Sequence, residues 1–337
     1  MDIKNTLFAL SKADGIGNIT DAADRAYEIL SRYAECRKVE GNTVIGEIKG
    51  ESDYTLMLDA HIDEVGFIVT DVDENGFITV KNCGGIDLRT LPARAVIIHG
   101  KEKIKGVFCS TPPHLSSGEI EYKDISAIKI DSFLGRAARD VVSVGDYVTY
   151  AQLPTSLLGN RITAKALDNR AGVACVLSVA ERLSREKLPF NVAFVLSDME
   201  ELGLRGAKTA TFGVDPDEAI AVDVTFGDGP DISPDESRKL GSGAMIGISP
   251  ILDKEISNKL IETAENNNIP YDTEVMGRAT GTNSDVISVS RCGVKTGLVS
   301  IPLRNMHTDV EVVDIKDIEA AARLLCQYIL KGGAQKC

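Results

Sequence analysis

Glu200 and Glu201 follow directly on the apolar run NVAFVL and precede a turn that carries Gly203 and Gly206. Consecutive residues leaving a strand point in different directions. One carboxylate can therefore hold a cation while its neighbour moves protons beside it. Other acids and histidines occupy equivalent places. His61 and Asp63 come straight after the strand-like YTLMLDA, Asp223 lies toward the end of EAIAVDV, and His307 lies a few residues past GLVSIP. Asp168 opens a helical stretch in KALDNRAG.

In open α/β sheets, sites form outside the carboxyl ends of the strands. Five separate segments here deliver ligand-type residues to such an edge. Two histidines and three carboxylates (His61, His307, Asp168, Glu201 and Asp223) suit zinc, cobalt or manganese, which accept mixed nitrogen and oxygen donors. A carboxylate can bridge two ions ~3.5–4 Å apart, and Asp168, alone on its segment, is the natural bridge. That leaves one histidine and one acid for each ion. Asp63, two residues after His61, can accept the second imidazole N–H and fix its tautomer. Glu200 then remains as general base. Each residue also has a plainer explanation. Asp168 could cap a helix, the glutamate pair could face a helix dipole, and Asp63 with Glu64 could be a solvated turn. Five coincidences at one edge outweigh those separate explanations. His99 and His114 fall in a β-like stretch away from that edge and read as structural or surface residues.

The elements that must position these groups alternate. A helix is predicted over 20–34, strands over 43–48 and 54–60, then short β-like segments separated by Gly, Pro and Asp turns from about 70 to 160. Helical texture returns at Asp168, followed by strands at NVAFVLSD and 218–225, a helix over 252–268 and a strand near 271–276. A strand over 295–302 and a last amphipathic helix over 315–331 complete the pattern. The expected fold is α/β, a mixed, mainly parallel sheet flanked by helices. It is built from residues 1–69 and 162–337 and interrupted by a β-rich insert over 70–161.

The bulk properties fit such a protein. The 337 residues are 43% hydrophobic and 26% charged, ordinary for a soluble globular chain. A net charge of -13 argues against nucleic acid or anionic membrane as partner and suits divalent cations. Seven cysteines without a CxxC pattern fit reduced thiols. Neither a signal peptide nor a run of about 20 apolar residues is seen. The expectation is a cytoplasmic protein.

The motifs AHIDEVGF (60–67), KALDNRAG (165–172), EELGLRGA (200–207), AVDV (221–224) and SIPLRNMHTDVEVV (300–313) together resemble those of the M42 metallo-aminopeptidases. They run over most of the chain in that family's order. The resemblance implies the fold of the co-catalytic zinc exopeptidases with a small inserted β-barrel or PDZ-like domain that helps subunits associate. It implies His61, Asp168 and Asp223 on one metal, and Asp168, Glu201 and His307 on the other. Glu200 would be the base and Asp63 the orienting acid. The implied activity is removal of N-terminal residues from peptides, and the implied assembly is a homo-oligomer, a tetrahedral dodecamer. The chain departs from the family pattern at Met199, at Thr282–Asn283, at Asn305 and at Thr308–Asp309. None of these is a ligand, so the departures bear on pocket shape and substrate preference. Arg304 and the loop 277–285, with Gly281 and Thr282, are expected near the substrate.

Three other readings compete. A metal-dependent deacylase of N-acyl amino acids would use the same centre. A glycosidase needs two carboxylates facing across a sugar and no metal, which leaves His61, His307 and Asp223 idle. The chain also has no tryptophan to stack on sugars. A non-catalytic scaffold would be expected to have lost ligands or the base, and all seven residues are present.

Overall fold

The computed structural model describes residues 1–39, 41–115, 124–230 and 232–334. Its centre is an eleven-stranded mixed sheet. Four long strands run parallel through the middle, in the order Asn191–Ser197, Thr55–His61, Glu218–Phe226 and Lys295–Arg304. Their near-continuous burial is what a sheet covered on both faces demands. Antiparallel strands extend both margins, among them Glu311–Asp314 and Arg161–Ala164 beside the Lys295–Arg304 strand. Ala244–Ile248 pairs antiparallel with Lys295–Arg304 and parallel with Tyr271–Val275. The α/β expectation therefore holds, with parallel pairing concentrated at the centre.

One face is covered by Ile3–Lys12, Asp21–Leu30, Leu167–Leu183, Lys254–Asn266 and Ile315–Leu330, whose apolar stripes merge into the largest core cluster. Arg205–Val214 and Ser284–Ile287 cover the other face over a smaller cluster. Within Leu167–Leu183 the backbone of Asp168 is extended and that of Asn169 is also non-helical. Asp168 thus sits on an irregular first turn rather than in a regular helix. Gly172 lets that turn lie close against the sheet. A Cβ there would stand 2.2 Å from Asn169 Oδ1 and 2.8 Å from the Val222 carbonyl.

Six antiparallel strands form a separate closed barrel, Gly66–Val72, Ile78–Cys83, Ala95–His99, Lys103–Phe108, Ile130–Asp131 and Tyr147–Tyr150. Closure leaves its sheet without free edges. Inward residues make its own core, in which Phe67 meets Phe108 and Tyr150 edge to face. The first barrel strand starts at Gly66, directly after the His61 motif. At the other end, Thr155–Ser156 pairs with Arg161–Ala164 in the large sheet. The barrel strands so occupy a slightly different span from the expected 70–161.

A buried ionic cluster ties barrel to sheet. Lys165 Nζ donates to Asp14 Oδ1 at 2.9 Å and to both oxygens of Glu64 at 2.8 and 2.7 Å. Glu64 also accepts the Gly15 N–H. From the barrel, Thr149 Oγ1 and Lys103 Nζ donate to Asp14, and His99 stands 3.7 Å from it. Burial raises the Asp14 pKa, but the ammonium of Lys165 outweighs it and holds the carboxyl well below its usual range. Lys165 precedes Asp168 by three residues and Glu64 follows Asp63, so the cluster clamps two of the site's loops together.

Candidate metal centre

The parallel register lines up the loops that leave the sheet. Ser197 pairs with His61, so Asp198–Glu201 departs beside the His61–Asp63 segment. Asp63 joins the two. Its Oδ1 accepts the Glu200 N–H at 3.0 Å and its Oδ2 the Glu201 N–H at 3.2 Å, while Oδ1 stands 3.3 Å from His61 Nδ1. The ring is turned so that Nε2 faces Asp168 Oδ1 at 3.0 Å and Asp223 Oδ1 at 3.8 Å. The other Asp168 oxygen faces His307 Nε2 at 3.3 Å, and the same nitrogen lies 3.2 Å from Glu201 Oε1. All five expected ligands meet at one sheet edge, with Glu200 lining the same cavity.

Asp168 and His307 are held by a residue to which sequence reasoning assigned no role. Glu311 accepts the backbone N–H of Asp168 at 3.0 Å and that of His307 at 2.8 Å. Its carboxylate is fully buried, and burial with the nearby Asp168 charge pushes its pKa well up. Non-glycine residues with left-handed backbone flank the ligands: Ala166, Met199, Leu204, Asn305 and His307 itself, at φ of 57° to 62°. Such conformations persist only where the surroundings hold them and tend to gather at functional sites.

The electrostatics follow from crowding acids around two imidazoles. Burial raises the Asp168 pKa, yet hydrogen bonds to His307 and His61 outweigh it and hold the group low. Burial lowers both histidines, but their carboxylate partners win, pushing His61 well up and His307 to about 11. Glu200 is pushed up to about 7, chiefly by burial, with His61 opposing and Glu201 reinforcing. Burial also raises Glu201 and Asp223. A concentration of buried carboxylates around two imidazoles suits a cation. Donor atoms of His61, Asp168 and Glu201 lie within 4.8 Å of one another. This set fits a divalent metal.

The centre opens into a cavity of about 300 Å³. Gly281 and Thr282 line it, as expected of the 277–285 loop. Arg304 is not brought to this lining. It binds the Asp228 side chain at 2.6 Å and the Asp228 carbonyl. Asn283, one of the departures from the family pattern, is buried and donates to Asp59 and Ser197. His99 lies in the ionic cluster and His114 is exposed, both away from the centre. A second residue absent from the sequence reading, Glu274, reaches the cavity wall from the Tyr271–Val275 strand.

Comparisons with known proteins agree with this geometry. The sequence model of a family described as M42 glutamyl aminopeptidase matches residues 41–324. A protein named putative aminopeptidase from Acetivibrio thermocellus is 33% identical, with 98% of this chain and 100% of that one aligned. The solved structure of aminopeptidase APDkam598 from the archaeon Desulfurococcus kamchatkensis superposes with a TM-score of 0.92 at 29% identity. That match covers 98% of this chain and 95% of the archaeal one. A structure described as PhTET1-12s, a dodecamer, gives 0.86 at 25% identity and covers 98% and 100%.

Proposed function

Because the chain belongs to the M42 glutamyl aminopeptidase family of peptide hydrolases, we propose that it is a metal-dependent aminopeptidase acting through two divalent ions. The observation that carries this is the division of Asp168, one oxygen toward His61 and the other toward His307. In this reading His61, Asp168 and Asp223 hold one ion, and Asp168, Glu201 and His307 hold the other. Zinc suits this set best, and cobalt or manganese would be accepted. When bound, the ions supply Lewis acidity that polarises the scissile carbonyl and makes water nucleophilic near neutral pH.

The chain's own residues do the rest. Glu200 takes the proton released as water attacks and returns it to the leaving amine. Asp63 fixes the His61 ring and, through two backbone amides, the placing of the glutamate pair. Glu311 does the same for Asp168 and His307. Gly281 and Thr282 contact the substrate from the cavity wall. Arg304 would have to leave Asp228 to join them. The barrel with its flanking residues is assigned to subunit association, in a cytoplasmic homo-oligomer of the tetrahedral dodecamer type.

A panel of aminoacyl-anilides and N-blocked analogues, assayed after stripping the protein with chelator and adding back each metal, tests the proposal. Free-amine substrates should be cleaved only with metal restored. Cleavage confined to blocked substrates would favour a deacylase and remove the aminopeptidase reading. Glu200→Gln should bind metal normally and lose about 10²- to 10⁴-fold in kcat. Turnover at the wild-type rate would remove the assigned base.

A further inference from the structure

The wall of the catalytic cavity carries a carboxylate that neither the metal centre nor the proton transfer uses. Thr225 Oγ1 donates to Glu274 Oε1 at 2.5 Å, while Oε2 is shielded from solvent and has no hydrogen-bond partner. Among the described residues Glu274 forms no ion pair. Arg238, which packs on the same strand, is already engaged by Asp272 and the Thr273 carbonyl. A buried carboxylate oxygen without a partner is costly. A ligand that brings a donor and a positive charge removes that cost.

The placing of this group sets the length of the ligand. Asp223 and Thr225 lie two residues apart on one strand, so their side chains share a face about 6.6 Å apart. Glu274 is anchored to the second of them. A lysine side chain extends about 6 Å from Cα to Nζ, counting five bonds of about 1.5 Å. Phe226, Met276, Leu298 and Met306 add apolar surface to the same cavity, beside the hydroxyls of Thr280, Thr282 and Ser300. That apolar surface suits the methylene stem of a long basic side chain, whose charged head alone needs a polar partner.

We propose that Glu274 makes this enzyme select peptides whose N-terminal residue is lysine or arginine, the cation docking on Glu274 while the α-carbonyl lies at the metal centre. The same carboxylate repels acidic N-terminal residues, so the preference departs from the glutamyl activity in the family's description. This inference rests on the aminopeptidase reading above and adds a specificity-determining residue to it.

The test is kcat/KM for lysyl-, arginyl-, methionyl- and glutamyl-anilides with the metal-loaded enzyme. Lysyl and arginyl should exceed methionyl, a neutral side chain of similar length, by about tenfold or more, and glutamyl should be poorest. Glu274→Gln should lower the lysyl-to-methionyl ratio by about tenfold. If methionyl equals or exceeds lysyl in the wild type, the inference fails and the aminopeptidase reading stands. If no free-amine anilide is cleaved, both fail. If Glu274→Gln lowers every free-amine substrate by the same factor, Glu274 serves the common α-ammonium group and the proposed selectivity is overturned.

Discussion

Replacing Lys165 with methionine removes the one ammonium that pairs with both Asp14 and Glu64 and leaves the volume nearly unchanged. All three side chains are almost fully buried. Breaking a buried pair by deleting one partner costs about 3–5 kcal/mol, because it strands an uncompensated charge. Unfolding entropy of about 2.1 cal/mol/K per residue amounts to about 0.7 kcal/mol/K over the 337 residues. The expected drop in Tm is therefore about 4–7 °C, measured by calorimetry at matched subunit concentration. The pH dependence has a definite sign. The folded pKa of Asp14 is depressed, so its stabilisation is fully present above its ordinary value of 3.8 and is lost as pH falls below it. The Tm gap between wild type and Lys165→Met should hold its full size from neutral pH down to about pH 4 and narrow only on acidification below that. A drop under about 1 °C at neutral pH, or a gap that widens on acidification, would refute the claim that Lys165 neutralises this cluster.

Two further changes probe the site itself. Asp63→Asn turns an amide NH₂ toward one of the Glu200 and Glu201 N–H groups, and should weaken metal binding by about 10- to 100-fold in a competition titration. Unchanged affinity would show that Asp63 does not position the centre. Gly172→Ala pushes a methyl group onto Asn169 and the Val222 carbonyl, and should cost about 1–3 kcal/mol of stability. A Tm within experimental error of wild type would mean that the first turn of the Leu167–Leu183 helix shifts freely.

The proposed ligands were legible because their motifs sit where strands end, and strand ends can be read from apolar runs. His61 after YTLMLDA and Asp223 within EAIAVDV needed only that the strands be parallel and adjacent. What escaped depended on pairings distant in sequence. Glu311 lies inside a motif read for His307, yet its role comes from accepting the Asp168 amide, 143 positions away. Glu274 stands on a half-buried strand whose alternation says nothing about Thr225, its partner from the central sheet. Arg304 was expected near the substrate. The Lys295–Arg304 strand instead carries it to Asp228, outside the lining. The β-like texture of the insert was visible, but not the start of its first strand at Gly66, which follows the His61 segment after only four residues.

The five proposed ligands are spread along the chain between His61 and His307 and are brought together by the sheet. During synthesis the ribosome releases His61 early and His307 some 246 positions later. A growing chain that stops anywhere before His307 lacks one of the proposed ligands, and one released before the Lys295–Arg304 strand has docked lacks the strand that leads to it. Peptide-cutting power is thus a property of the finished fold. Truncated fragments and chains still on the ribosome should be harmless to the peptides around them.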